Sequence, residues 1–304
     1  MKEFHGIIPP VITPLNAERN LDVPGLGRLI EHMISGGVHG IFVLGTTGEG
    51  PVLSNQARQA MIRETVRIVN GRIPVLAGVS SASLQDTVEL AEYAKACHVS
   101  AAVAAPPCYF RLGVPELEDF YRTLAAEIQM PLFIYNMPDM TKTTMSPELV
   151  IKLANIPNMR GYKDSTGNMI AFHKILLALK DRQDFSLFVG PEELLGESVL
   201  YGADGGVSGG GNLLPGLFVA MYNAALKGDI AAMRKLQKII YLNRQLYSIG
   251  KHQTSLVKGI KSALRQKGIC QDYLAAPFNH FEEAESRIVG DILKKLDITA
   301  KQFL

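Results

Sequence analysis

Lys163 is the residue of this 304-residue chain best suited to covalent chemistry. It lies in Gly161-Tyr162-Lys163-Asp164-Ser165, a short strand-like segment whose neighbours are expected to face a core. An ammonium is expensive there unless it is paired or neutralised. At an ordinary pKa of ~10.4 only about one lysine in 2,500 is neutral at pH 7, so a nucleophilic amine needs burial to lower its pKa. A fall of about three units corresponds to roughly 4 kcal/mol, within what burial supplies. The plainer reading is a strand-end lysine that reaches solvent or pairs with Asp164. Tyr135, in Tyr135-Asn136-Met137-Pro138, faces the same mouth on this reading, where its hydroxyl could pass a proton during amine addition and carbon–carbon cleavage. Otherwise it is a core tyrosine with a satisfied hydroxyl. Gly45-Thr46-Thr47-Gly48-Glu49-Gly50 has no Gly-Lys-Ser/Thr ending and is not a nucleotide loop. Its backbone N–H groups and two hydroxyls could still converge on a carboxylate, the alternative being an ordinary glycine-rich turn.

Other chemistries find less support. The seven histidines have no metal-ligand spacing and no serine lies in a Gly-x-Ser-x-Gly elbow, which weighs against metal hydrolysis and triad catalysis. Gly205-Gly206-Val207-Ser208-Gly209-Gly210-Gly211 reads either as a phosphate cradle or as close backbone packing. Thirty-one basic against 29 acidic residues leave a net charge of +2, too balanced for a nucleic-acid footprint, so a small-molecule partner is expected. Cys97, Cys108 and Cys270 are odd in number and lack C-x-x-C spacing, which argues against a disulfide framework or zinc site and suits a reducing, cytoplasmic setting. No apolar run reaches the roughly 18 residues of a membrane span, and the N-terminus has no signal-like apolar region.

The elements that must position these residues follow from the hydrophobic pattern. Short apolar runs bounded by Gly or Pro begin near Gly6, Gly40, Pro74, Ala101, Leu132, Met159, Ser186 and Gly205 and read as buried strands. The stretches between them look helical. Ser54 and Ser83 are expected caps, Pro147 follows Ser146 at a favoured first helical position, and Ala57, Met61, Thr65 and Ile68 share a face. Strand–helix units repeating about every 28 residues predict an α/β fold, a (β/α)8 TIM barrel, over residues 1–225. Residues 226–304 read as a C-terminal helical extension, with Ile230, Met233, Leu236 and Ile240 on one face after Asp229 and further helices over 254–267 and 282–295. In such a barrel the active site lies at the C-terminal ends of the strands, and the segments carrying Thr46, Tyr135 and Lys163 all fall at that rim.

The order and spacing of Gly45-Thr46-Thr47-Gly48-Glu49, Tyr135-Asn136-Met137-Pro138 and Gly161-Tyr162-Lys163-Asp164-Ser165-Thr166-Gly167 resemble the dihydrodipicolinate synthase/N-acetylneuraminate lyase family of pyruvate-dependent class I aldolases. The likeness runs from Gly6-Ile7-Ile8-Pro9-Pro10 to the C-terminal helices. It implies that Lys163 forms an imine with a 2-oxo acid, that Thr46 and Thr47 hold its carboxylate, and that Tyr135 shuttles protons, with no metal or organic cofactor. It further implies that Tyr109, in Cys108-Tyr109-Phe110, reaches the neighbouring subunit's site in a homotetramer built as a dimer of dimers. Gly190-Pro191-Glu192-Glu193 resembles the Gly-x-Asp-Glu of sialic acid lyases, whose acids accept hydrogen bonds from substrate hydroxyls. Ser208 lies one place before the position of the lyase serine. The two glutamates read equally as an acidic first helical turn.

Three departures bear on the substrate. Met140 stands where the synthases carry an arginine for the second substrate's carboxylate, Cys108 where lysine-inhibited synthases carry a tyrosine, and Tyr162 where an aliphatic residue usually precedes the lysine. The resemblance thus implies a carbon–carbon lyase acting on sialate or a 2-keto-3-deoxy sugar acid. The alternatives are 4-hydroxy-tetrahydrodipicolinate synthase, with Lys142 standing in for the missing arginine, and a non-catalytic 2-oxo-acid-binding protein.

Overall fold

The computed structural model describes residues 2–303, with side chains through residue 299. Eight strands run parallel: β1 (Gly6–Ile7), β2 (Ile41–Val43), β3 (Val75–Gly78), β4 (Ala101–Ala104), β5 (Leu132–Asn136), β6 (Met159–Asp164), β7 (Ser186–Val189) and β8 (Gly205–Gly206). Each pairs with the next from β2 to β8, and β8 pairs with β1. The ring closes just past β1, where Phe42 N donates to the Pro9 carbonyl (3.0 Å) and Val11 N donates to the Phe42 carbonyl (2.8 Å). Prolines 9 and 10 lack the N–H a regular ladder needs, so the closure is an isolated bridge between Pro10 and Phe42. This is the (β/α)8 barrel expected from the spacing of the apolar runs.

The helices begin where small polar side chains satisfy free backbone donors. Ser54 Oγ accepts from Ala57 N (3.2 Å), Ser83 Oγ from Asp86 N (3.3 Å), Ser146 Oγ from Leu149 N (3.3 Å) and Asp229 Oδ1 from Ala232 N (2.9 Å). In helix Asn55–Val69 the buried stripe runs through Arg58, Met61, Ile62, Thr65 and Val69, rotated from the expected face because Ala57 and Ile68 are only half-buried. After β8 come helices Pro215–Leu226, Ile230–Arg244, Ser255–Gln266 and Glu283–Phe303. Among the described residues no helix is long and apolar enough to cross a membrane.

Strand alternation divides the core in two. Inside the ring pack Phe4, Ile8, Phe42, Phe133, Tyr135 and Phe188, while residues on the outward faces, Tyr162 among them, pack against the helices. Phe4 and Phe133 meet edge to face at 5.2 Å. Successive residues of β6 therefore live in different environments, which decides what Lys163 can do.

Candidate active site

Lys163 points into the ring near the C-terminal end of β6, opposite Tyr135 of β5 and Phe188 of β7 in the strand register. Its Nζ lies 4.0 Å from the centroid of the Tyr135 ring and 4.9 Å from that of Phe42, and the residue is 5% exposed. Burial lowers the lysine pKa, and Tyr135, which acts in the opposite direction, only partly offsets it. Burial by itself would raise the Tyr135 phenol. The Lys163 charge and hydrogen bonds from Thr46, Ser165 and Lys163 outweigh it and lower the pKa overall. Lysine and tyrosine thus form one proton-sharing pair, with the Thr46 hydroxyl 3.3 Å from the Tyr135 hydroxyl.

Asp164 does not pair with Lys163. It lies on the outward face of β6, where one oxygen accepts from Tyr162 Oη (2.8 Å) and the other from Thr166 N (2.7 Å) and Thr166 Oγ1 (2.6 Å). Tyr162 Oη in turn accepts from Asn136 Nδ2 (3.0 Å), whose amide exchanges hydrogen bonds with the backbone of Met145. Tyr162 thereby serves a buried polar network, whereas an aliphatic residue at its position would leave Asn136 and Asp164 short of a partner. Burial raises the Asp164 carboxyl and, with the Asp164 charge beside it, raises the Tyr162 phenol.

A cavity of about 510 Å³ is lined by Phe42 and Tyr135, whose rings also flank the Lys163 amine, and by Thr46, Arg58, Met140 and Phe278; Lys163 itself does not line it. Thr47 is buried beside Thr46. Arg58 is almost wholly buried, its Nε has no hydrogen-bond partner, and burial lowers its pKa. Lys142 is exposed on the turn that follows Met140 and does not line the cavity.

The remaining expected residues lie elsewhere. Gly190 touches the site indirectly: a Cβ there would stand 2.1 Å from Ser165 Oγ, so the missing side chain makes room for the hydroxyl that supports Tyr135. Glu192 and Glu193 do not line the cavity. Glu192 is buried, accepts from Gly210 N (2.7 Å) and Tyr247 Oη (3.0 Å), and burial pushes its carboxyl up to about 7. Glu193 is taken up by Arg244, and its carbonyl accepts from Gln237 Nε2 at 2.7 Å. Both glutamates thus anchor the helices that follow the barrel. Ser208 is fully buried, and its hydroxyl has no partner. Tyr109 is 79% exposed, edge-on to an equally open Phe110 at 5.0 Å.

Sequence reasoning missed three site residues. Ser165 lay inside a quoted motif without a role. Arg58 was given no role. Glu49, also within a quoted motif, turns out to be fully buried against Lys261.

A barrel that buries a lysine against a tyrosine at the C-terminal ends of its strands is suited to imine chemistry, the defining feature of a class I aldolase. Comparison with known proteins narrows this. The chain matches the dihydrodipicolinate synthetase family over residues 3–296, and it belongs to that family of pyruvate-dependent class I aldolases. It is 33% identical over 292 residues, 95% of this chain and 96% of the other, to a probable 2-dehydro-3-deoxy-D-pentonate aldolase of Escherichia coli strain K12. Among solved structures, a dihydrodipicolinate synthase from Bacteroides thetaiotaomicron superposes with a TM-score of 0.93 at 47% identity, covering 97% of this chain and 99% of that one. An Escherichia coli prophage protein of the same family, solved with pyruvate, gives 0.91 at 29% identity with the same coverage.

Proposed function

We propose that this enzyme cleaves, and in reverse forms, a 2-keto-3-deoxy sugar acid, with pyruvate as the fragment held on Lys163. The neutral amine adds to the C2 carbonyl carbon, and the C2 oxygen, taking one proton from the amine and one from the Tyr135 hydroxyl, leaves as water to give a protonated imine beside a Tyr135 phenolate. The imine takes up the electrons of the C3–C4 bond as the C4 hydroxyl gives its proton to Tyr135 and the aldehyde departs. The resulting enamine is protonated at C3, and hydrolysis returns pyruvate and the free lysine. Thr46 and Thr47 bind the C1 carboxylate. Tyr109, too exposed for a lone subunit's core, reaches the neighbouring site in a homotetramer arranged as a dimer of dimers.

The observation that carries the substrate class is Met140. The cavity wall from which a synthase arginine would reach a semialdehyde's carboxylate presents a thioether, and Lys142 does not replace it. Glu192 and Glu193 have partners within the fold, which favours a short sugar acid over sialate. A second reading, condensation of pyruvate with aspartate semialdehyde, has Arg58 in its favour, since it brings a buried guanidinium to the same cavity.

Pyruvate release from 2-keto-3-deoxy-pentonates, 2-keto-3-deoxy-hexonates and sialate, run beside semialdehyde condensation, decides between these readings. The expected result is a kcat/KM for at least one 2-keto-3-deoxy acid about 100-fold above that for condensation, a difference of roughly 2.7 kcal/mol in transition-state binding. Efficient condensation that disappears in Arg58→Met would overturn the assignment in favour of the synthase.

A further inference from the structure

Glu49 combines three features that an ordinary turn residue lacks. Its φ of 60° puts a non-glycine residue in the left-handed region, which costs energy and persists only where surrounding contacts hold it. Its side chain is completely buried, with Oε1 2.5 Å from the equally buried Nζ of Lys261 and Oε2 accepting from Ala275 N at 2.8 Å. Lys261 lies in helix Ser255–Gln266 and also donates to the Tyr273 carbonyl (2.6 Å). Residues 212 positions apart thus join the loop after β2 to the helices beyond the barrel.

That loop is the one that carries Thr46 and Thr47. Glu49 N donates back to the Thr46 carbonyl (3.1 Å), Gly50 N to the Gly45 carbonyl (3.2 Å), and Thr13 Oγ1 to the Gly48 carbonyl (2.6 Å). At Gly50 a Cβ would meet the Leu44 carbonyl oxygen at 2.0 Å, so the loop is wound directly onto the end of β2. Thr46 then reaches the Tyr135 hydroxyl. Buried ion pairs are poor stabilisers compared with apolar residues of the same volume, so stability alone is a weak reason for this pair, and fixing a conformation is a better one.

We propose that the Glu49–Lys261 ion pair is a positioning device that holds the Thr46–Thr47 loop in its carboxylate-binding shape, making the C-terminal helices part of the catalytic apparatus. Neither residue reacts. Glu49 and Lys261 act through Thr46 and Thr47, and the proposal rests on the Schiff-base reading above.

The test is borohydride trapping of the pyruvate imine on the full-length protein, with the adduct located by peptide mass analysis, as a function of pyruvate concentration. Glu49→Gln and Lys261→Met are each expected to raise the half-saturating pyruvate concentration tenfold or more while the adduct still forms at Lys163. Lys267→Met, which breaks the Lys267–Asp297 pair elsewhere in the same extension, is expected to leave it within about twofold. Equal weakening in all three variants would mean that general loosening of the extension is responsible, and the proposal fails. Unchanged pyruvate dependence in Glu49→Gln and Lys261→Met also sinks it. Should those variants not fold, hydrogen exchange of the unmodified protein decides: pyruvate should protect residues 255–275 together with 45–50, and protection confined to the barrel overturns the proposal. Absence of any adduct at Lys163 in the unmodified protein would instead refute the aldolase reading, and the proposal with it.

Discussion

Glu192 offers a direct measurement of what burial does in this fold. Its carboxyl is raised from 4.5 to about 7, with burial the largest cause. Below pH 4.5 the folded and unfolded chains both carry the proton. Between pH 4.5 and about 7 the folded chain keeps a proton that the unfolded chain has released, so stability falls as pH rises. Above about 7 the whole cost is present. The two pKa values differ by an amount worth about 3 kcal/mol, an upper bound because hydrogen bonds and relaxation share the change. Glu192→Gln keeps an oxygen to accept from Gly210 N and Tyr247 Oη. Its new amide donors face Asn243, whose buried Oδ1 has no partner and becomes available by rotation of the Asn243 side-chain amide. The variant is therefore expected to be more stable than the unmodified protein at pH 8, by about 1–3 kcal/mol, and nearly equal to it at pH 4.5. Urea unfolding at pH 4.5, 6 and 8 at matched protein concentration measures this. A variant less stable at pH 8, or a difference that does not change with pH, would refute the assignment of a burial-raised carboxyl.

Two further outcomes follow from β5 and β6. Because burial lowers the Lys163 pKa, imine formation with pyruvate should rise with pH as the ammonium loses its proton and level off above a midpoint below the ordinary 10.5; a trapping-rate profile that still climbs through pH 10.5 would contradict a buried amine. Tyr162→Phe removes a donor to Asp164 and an acceptor for Asn136, so it should cost about 1–3 kcal/mol in denaturant unfolding while the Lys163 adduct still forms, as read by borohydride trapping.

What the sequence made legible, and what it hid, follows the range of the interactions. The strand starts and helix caps are local: a glycine or proline before an apolar run, or a serine three residues ahead of a free N–H, can be recognised within a short window. The barrel follows from their repetition. The family motifs were equally local, and they brought Thr46, Tyr135 and Lys163 to one mouth. Arg58 was overlooked because a helix face is read from apolar residues, and a guanidinium facing a cavity breaks that pattern. Glu49–Lys261 and Glu192–Tyr247 were invisible because their partners lie 212 and 55 positions away and neither spacing has a periodicity to betray it. The glutamates after β7 illustrate the limit best. Their sequence fits substrate binding and helix capping alike, and only the packing of helix Ile230–Arg244 against them reveals that they hold the fold.

The alternation of a single strand separates the chemistry from its support. Had Asp164 shared a face with Lys163, a carboxylate beside the amine would have favoured the ammonium and opposed the fall in pKa that burial imposes. Period two prevents this. Tyr162 and Asp164 face the helices, where a charge can be held by Thr166 and a phenol, and Lys163 faces a ring of Phe42, Tyr135 and Phe188. The negative charge available to the amine is then the phenolate of Tyr135, which exists only when the proton has moved. An amine whose counter-charge appears on proton transfer can be neutral when it attacks a carbonyl and can regain a proton when the imine is hydrolysed. A permanent carboxylate partner would favour the second at the expense of the first.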